Sequence, residues 1–361
     1  MSCDADVRQG VRNLLMECAA AKHGDRLLIL REDHRHGYYG EGLADAVAIH
    51  AAGLGLRVSI LDVPFLPDAE DLPDDILAAV TSVDHALFLA RLGDQIRFRA
   101  RSTATQLVVS YALDAETFAS PFAIAPYQAF VDLKALFNAM FAAARHIQVT
   151  CARGTDFQGC LLPSSGQVAG DVGIKRFPMP VFAPLDAAGF TGRVAVAHFL
   201  AGTGSKYYEP YGVPITGPLF AEIDCARIVR WSGGADEVAK VSAHYGAVSA
   251  RYGIDRDAVH SWHAGIHPAC AYRQSAHDNY ERWSGAAFGN PRLLHFHTCG
   301  AYAPGEICWN IVDPSIEVDG RIVWRTGRIQ VDAVPGMRDH LRRYPDVAAL
   351  YEAPSQDIGI A

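Results

Sequence analysis

No stretch of about 18 consecutive apolar residues occurs in the 361-residue chain, so the sequence holds no membrane-spanning helix. The opening residues, Met1-Ser2-Cys3-Asp4-Ala5-Asp6, lack a basic region followed by an apolar core. No secretory leader is therefore expected, and the expected compartment is the cytoplasm. No block of lysine or arginine offers a footprint for nucleic acid, and the net charge of −8 favours solubility without indicating a partner. No two of the eight cysteines form a C-x-x-C pair, so reduced and mostly buried thiols are expected rather than a disulfide framework or a zinc ribbon. Repeats and low-complexity tracts are also missing. Half of the residues are hydrophobic and a fifth are charged, which excludes a disordered chain, a collagen and a coiled coil.

The first part of the chain alternates strand and helix signals. Arg26 to Arg31 is a short apolar run after Gly24-Asp25, Gly42 to Gly53 is rich in Ala and Leu, and Arg57 to Val63 is a second run ending before Pro64. Strand, helix and strand with short punctuated joints make a βαβ unit, which predicts a parallel sheet. Further strands are expected at His85 to Ala90, Gln106 to Tyr111 and His146 to Cys151, with a long helix over Tyr127 to Arg145. The joint after the first strand, Glu32-Asp33-His34-Arg35-His36-Gly37-Tyr38-Tyr39-Gly40, is neither G-x-G-x-x-G nor a P-loop, so neither phosphate cradle is present. His34 and His36 read as loop residues.

From about Gly154 the chain becomes rich in glycine, proline and turns. Short β-prone runs are expected at Gly192 to Leu200, Leu219 to Asp224, Arg227 to Trp231, Leu293 to Thr298, Ile307 to Val312 and Arg321 to Trp324, with one helix over Ala235 to Tyr252. The expected fold class is an α/β N-terminal domain with a parallel sheet, residues 1–150, followed by a β-rich α+β metal-binding domain, residues 151–361.

Six of the 15 histidines fall between His260 and His297, which makes this the most chemical stretch of the sequence. His295-Phe296-His297 lies in a strand-like run, so both imidazoles point to one face and form half of a metal site. The plainer reading is a half-buried strand with two hydrogen-bonded histidines. His260, His263 and His267 follow within a Gly- and Pro-punctuated segment read as a loop or strand end, and Glu306 supplies a carboxylate soon after the H-x-H. Two histidines and a carboxylate suit a non-haem Fe(II) site with open positions; the same atoms suit Zn and a bound water. Residue types alone do not separate an oxygenase from a hydrolase.

The order of motifs resembles the aminopeptidase T-like metallopeptidase superfamily, and within it the 2,5-dihydroxypyridine 5,6-dioxygenase branch. The resemblance is distant and spans most of the chain. It rests on the N-terminal α/β pattern, on His146 to Phe157 with Gly154-Thr155-Asp156-Phe157, on Val181-Phe182-Ala183-Pro184, on His277-Asp278-Asn279, on Phe288-Gly289-Asn290 and on Val318-Asp319-Gly320. It implies one Fe(II), with Zn, Mn or Co as the hydrolase alternative, and a small substrate together with dioxygen. The ligand in the family's E-x-G or H-x-G motif falls on His263, and the family's pairing of a histidine with a tyrosine seven residues later falls on His295 and Tyr302. A glutamate that the peptidases carry before the F-T-x-P segment is absent here, where Met179 stands. The late H-x-D pair of both branches is replaced by Cys308-Trp309-Asn310, leaving His297 and Glu306 as substitutes.

The expected metal ligands are thus His263, His295, His297 and Glu306, and the expected catalytic groups are Tyr302, His277 and Glu306. His260 is an alternative to His263, and Cys308 is either a thiolate ligand or a buried inert thiol. Glu222 and Lys206-Tyr207-Tyr208-Glu209 are candidates for substrate contact whose plainer readings are a strand surface and a solvated loop. The expected activity is that of a mononuclear oxygenase for a small hydroxylated aromatic or N-heteroaromatic compound. A metal-dependent amide or peptide hydrolase and a metal-free small-molecule binder are the alternatives. A homo-oligomer is the expected assembly.

Overall fold

Leu27, Leu28, Ile29 and Leu30 are four consecutive buried residues in one strand, the mark of a parallel sheet covered on both faces. The computed structural model describes residues 2–67, 69–97, 104–162, 173–202 and 206–360. In chain order its strands are β1 (Arg26–Glu32), β2 (Arg57–Val63), β3 (His85–Leu89), β4 (Gln106–Ser110), β5 (Ile147–Thr150), β6 (Asp156–Gly159), β7 (Ile174–Phe177), β8 (Leu185–Asp186), β9 (Phe190–Ala195) and β10 (His198–Ala201). They continue as β11 (Gly212–Ile215), β12 (Leu219–Asp224), β13 (Arg227–Gly233), β14 (Val259–Ala264), β15 (Leu293–Cys299), β16 (Glu306–Val312), β17 (Ser315–Val318), β18 (Arg321–Arg325) and β19 (Arg328–Ile329).

The chain divides into two units, Met1–Val131 with Asp171–Met179, and Asp132–Gly170 with Pro180–Ala361. The first unit is the α/β part. Its sheet runs β2-β1-β3-β4-β7 and every pair is parallel. The helix Leu43–Gly53 turns Val47 and Ala51 inward, and Asp74–Thr81 does the same with Ile76 and Val80. The β7 edge comes from a later segment and is not among the expected strands. No helix among the described residues is long and apolar enough to cross a membrane.

The second unit is β-rich, with all ladder pairs antiparallel. An eight-stranded sheet runs β13-β12-β9-β6-β5-β17-β18-β19, and a six-stranded sheet runs β11-β10-β16-β15-β14-β8. An aromatic layer joins them. Phe157 on β6 lies with its ring centroid 5.2 Å from Phe296 and 6.4 Å from Trp262, and Phe190 on β9 is 5.6 Å from Trp262. All four are fully buried.

Two expectations need correction. The run Gly192 to Leu200 is not one strand. The chain leaves the eight-stranded sheet at Ala195 and enters the six-stranded sheet at His198, whose φ of +66° ends any continuous ladder. Apolar alternation looks the same on either side of that break. The segment from His260 is likewise not a loop or strand end up to Gly265, because Val259–Ala264 is the buried strand β14. Its alternating Ser-Trp-His-Ala pattern is a strand pattern that the flanking Gly265 and Pro268 obscure.

Candidate metal centre

Three adjacent antiparallel strands place the site. His263 on β14 stands opposite His295 on β15, and Ser261 opposite His297. Across the other edge of β15, His295 faces Asn310, His297 faces Cys308 and Cys299 faces Glu306 on β16. Directly opposed residues share a face, and alternate residues of a strand share a face. His263, His295, His297, Glu306, Cys308 and Asn310 therefore line one side of the sheet. Their neighbours Trp262, Phe296 and Trp309 fill the other side, where Phe296 and Trp309 stack at 5.2 Å. The alternation of histidine with a large aromatic thus builds a packed face and a chemical face from the same strands.

The three imidazoles form one buried group. Ring centroids are 4.0 Å apart for His263 and His295, 4.9 Å for His263 and His297, and 5.1 Å for His295 and His297. Their relative exposures are 3%, 7% and 8%. One ring nitrogen from each lies within 4.8 Å of the others, a spacing that can hold a metal ion. His297 also forms a second such group with Glu306 and Cys308.

Hydrogen bonds set the tautomers. His263 Nδ1 is 3.2 Å from the carbonyl oxygen of Phe182, so Nδ1 carries the proton and donates it. His297 Nδ1 donates to Oε1 of Glu306 in a very close contact. Each ring then presents a bare Nε2, and these two nitrogens are 2.9 Å apart. Two buried lone pairs at that distance repel unless a cation or a shared proton lies between them. Two nitrogens about 2.1 Å from a common ion and at right angles to it stand about 3 Å apart, so the donor set fits a metal. A histidine ligand whose other nitrogen is held by a carbonyl or a carboxylate is the usual arrangement around protein-bound metals.

Glu306 is 2% exposed, and its Oε2 has no hydrogen-bond partner among the described residues. The Tyr208 hydroxyl donates to the Glu306 backbone carbonyl at 2.7 Å and fixes the start of β16. Cys308 Sγ lies 3.8 Å from His297 Nδ1. Gly265, which follows the His263-Ala264 pair, allows a close approach: a Cβ there would fall 2.3 Å from the carbonyl oxygens of Gly289 and Asn290. That contact brings Phe288 next to the site, with its ring 5.8 Å from His295.

The other sequence candidates lie as follows. His260 falls at a bulge in β14, and its Nε2 donates to the Cys299 carbonyl at 3.0 Å. His277 is exposed on a short turn; its Nδ1 accepts from the Tyr280 hydroxyl at 2.7 Å and its ring lies 5.8 Å from Phe199. The ring's partners here, Tyr280 and Phe199, are not members of the histidine group. Tyr302 stands 50% exposed in the turn between β15 and β16. Glu222 lies on β12 with Arg230 3.8 Å away across the ladder, a strand-surface carboxylate. Lys206 pairs with Glu209 at the surface, whereas Tyr207 and Tyr208 between them are buried, so the segment is not a wholly solvated loop. His34 and His36 lie in an exposed single turn of 3₁₀ helix. Sequence reasoning missed the Phe182 carbonyl and the Phe288 ring as parts of the site; the only signal for either was the motif in which it stands.

No family model matches the chain, and no curated protein does. Two solved structures match over nearly their full length. One is 2,5-dihydroxypyridine dioxygenase from Pseudomonas putida, with a TM-score of 0.59 and 15% identity, covering 91% of this chain and 97% of that one. The other is wild-type AmpT from Thermus thermophilus, with a TM-score of 0.53 and 12% identity, covering 91% and 99%. The chain therefore has the fold that these two proteins share.

Proposed function

We propose that His263, His295 and His297 hold one divalent metal, Fe(II), and that the protein is a mononuclear non-haem oxygenase for a small hydroxylated aromatic or N-heteroaromatic compound. The observation that carries the reading is the pair of bare Nε2 atoms 2.9 Å apart, with a third imidazole beside them on one buried face. Imidazole suits iron, and a three-histidine set leaves positions for a bidentate substrate and dioxygen. When bound, the metal supplies the redox and Lewis-acid chemistry that activates dioxygen toward the ring. The likeness to a dihydroxypyridine dioxygenase supports a substrate of that class.

The chain's own residues then have distinct tasks. The Phe182 carbonyl holds His263 Nδ1–H and so aims Nε2 at the metal position. Glu306 does the same for His297 and brings a carboxylate behind a neutral ligand set. Glu306 thereby acts as a positioning residue rather than as a fourth ligand. The wall formed by Phe288 and the buried strand face excludes water around His295. Tyr302, in the turn above Glu306, is placed in this reading as a group that moves a proton to or from substrate, with His277 as the second candidate.

A hydrolase reading needs a carboxylate to activate water. The close bond from His297 withdraws Glu306 from that task, and the position of Met179 offers no replacement. Anaerobic purification followed by metal analysis and oxygen electrode measurements tests the proposal. One iron per chain and oxygen uptake that requires a hydroxypyridine-like or catechol-like substrate are expected. Zinc, manganese or cobalt with amide hydrolysis and no oxygen uptake would replace it with the hydrolase reading. Protein that takes up no metal would leave a binding protein.

A further inference from the structure

Cys308-Trp309-Asn310 stands where the resemblance calls for a late pair of metal ligands, and the three-histidine set leaves Asn310 without a task. Asn310 lies on β16 directly opposite His295 on β15. The two side chains therefore rise from one face, with Cβ atoms about 4.5–5.5 Å apart. His295 in turn has its ring centroid 4.0 Å from that of His263. The amide thus borders the histidine group.

That face is buried but not sealed. Asn310, His295, Cys308 and His297 keep 6%, 7%, 7% and 8% exposure, whereas Trp262, Phe296 and Trp309 on the other face keep at most 1%. The side-chain amide of Asn310 makes no hydrogen bond with any described residue. A buried amide costs free energy unless its donors and acceptor are met, so one left open beside a ligand site calls for an explanation. Along β16 its neighbours on this face are Cys308 on one side and Val312 on the other. Val312 packs against a buried apolar cluster that holds Leu293, Phe199 and Trp283. Asn310 is therefore the last polar position on the strand before that cluster. It is a poor choice for the metal itself, because a neutral carbonyl oxygen suits magnesium, calcium or manganese, whereas imidazole suits iron. What an amide presents well is an acceptor and a donor side by side.

We infer, on the strength of the oxygenase reading above, that Asn310 is the specificity-determining residue of the site and selects a ring with an N–H next to a C=O over a carbocyclic ring carrying the same oxygens. Such an edge, that of a 2-pyridone, meets the amide with two hydrogen bonds. The ring N–H donates to Asn310 Oδ1, and Asn310 Nδ2–H donates to the ring carbonyl. A catechol turns a C–H to Oδ1 and leaves that acceptor unmet, which a site built for hydrogen bonds penalises. Phe288, with its ring 5.8 Å from His295, offers apolar contact to either ring and so does not discriminate between them.

Two ligands offer the same pair of adjacent oxygens and differ by an N–H in place of a C–H: 2,3-dihydroxypyridine, in its 3-hydroxy-2-pyridone form, and catechol. Both are titrated anaerobically by calorimetry into the iron-loaded full-length protein, into Asn310→Leu and into Asn310→Ala, with metal content measured on each sample. The unaltered protein should bind the pyridone at least about tenfold more tightly than catechol, as for one hydrogen bond lost with its partner left buried. In both variants the pyridone should weaken by about tenfold while catechol binding holds, so that the preference falls to near unity. Metal content should stay the same, and Asn310→Leu should melt no lower than the unaltered protein, since the amide it replaces has no partner among the described residues to lose. If Asn310→Leu does not fold, Asn310→Ala decides. An unshifted preference in the iron-loaded variants would overturn the inference while leaving the oxygenase reading intact. Loss of iron from both variants would make Asn310 a ligand and overturn it equally. Unaltered protein that holds no iron would withdraw both.

Discussion

Two buried polar clusters in this protein are built on opposite principles. In the first unit Glu32, at the end of β1, accepts from Arg91 Nε at 2.9 Å, from its Nη2 at 2.6 Å and from its backbone N–H at 3.1 Å. The guanidinium also lies 3.7 Å from the Phe65 ring centroid, a cation–π contact. Opposite charges meet with donors and acceptors matched. The carboxyl ends of parallel strands commonly take a ligand; here the ends of β1 and β3 carry a closed ion pair. In the second unit two acceptor nitrogens face each other at 2.9 Å, and a buried carboxylate oxygen has no partner among the described residues. A complete cluster holds a fold together, whereas one built from like acceptors is complete only when something positive joins it.

That contrast can be broken from either side. The largest effect is expected from His263→Ala and His295→Ala, each of which should remove most of the bound metal and all measurable oxygen uptake while leaving the far-ultraviolet circular dichroism unchanged. Metal analysis of both purified variants checks this, and full retention in both would exclude these ligands. Glu32→Ala should do the reverse. Leaving Arg91 buried and unpaired costs about 3–5 kcal/mol, read as a lower midpoint in urea, yet the folded fraction should hold its metal normally.

Smaller effects sharpen the comparison. Glu306→Gln keeps an acceptor for His297 but removes the charge, and should weaken metal binding by about 10–100-fold in a competitive chelator titration. His297→Ala separates two roles: loss of metal makes it a ligand, while intact metal content with lost turnover makes it a group that orients substrate. The least effect is expected from stripping the metal. At a free metal concentration about 100 times the dissociation constant, the loaded protein should gain about 2.7 kcal/mol over the chelated form. A calorimetric melt should show this as a modest rise in Tm.

The sequence was most legible where the signal is local. The apolar runs at Leu27 to Leu30 and Leu87 to Leu89 are too short and too continuous for amphipathic helices, and they are strands of the parallel sheet. His295 and His297 share a face because a strand alternates with period two, which requires no knowledge of neighbours. The break at His198 was not legible, because Ala195 and His198 continue one apolar pattern while belonging to different sheets. The strand identity of Val259 to Ala264 was hidden by the punctuation after it. Glu306 could be proposed as a ligand from its residue type, but its bond to His297 Nδ1 follows from the β15–β16 pairing.

By itself the amino-acid sequence determined the succession of an α/β part and a β-rich part, the concentration of imidazoles near one strand, and the lack of a G-x-G-x-x-G or P-loop motif after the first strand. These follow from composition and from periodicities that each segment carries alone. Only the tertiary structure decided that His263 stands opposite His295, that the Phe182 carbonyl sets the tautomer of His263, and that Cys308 and Asn310 border the same face. Those facts depend on which strands pair and in what register. Register is a long-range choice made by burying Trp262, Phe296 and Trp309 together on the other face of the sheet, and a slip of one residue would have turned every histidine into the core.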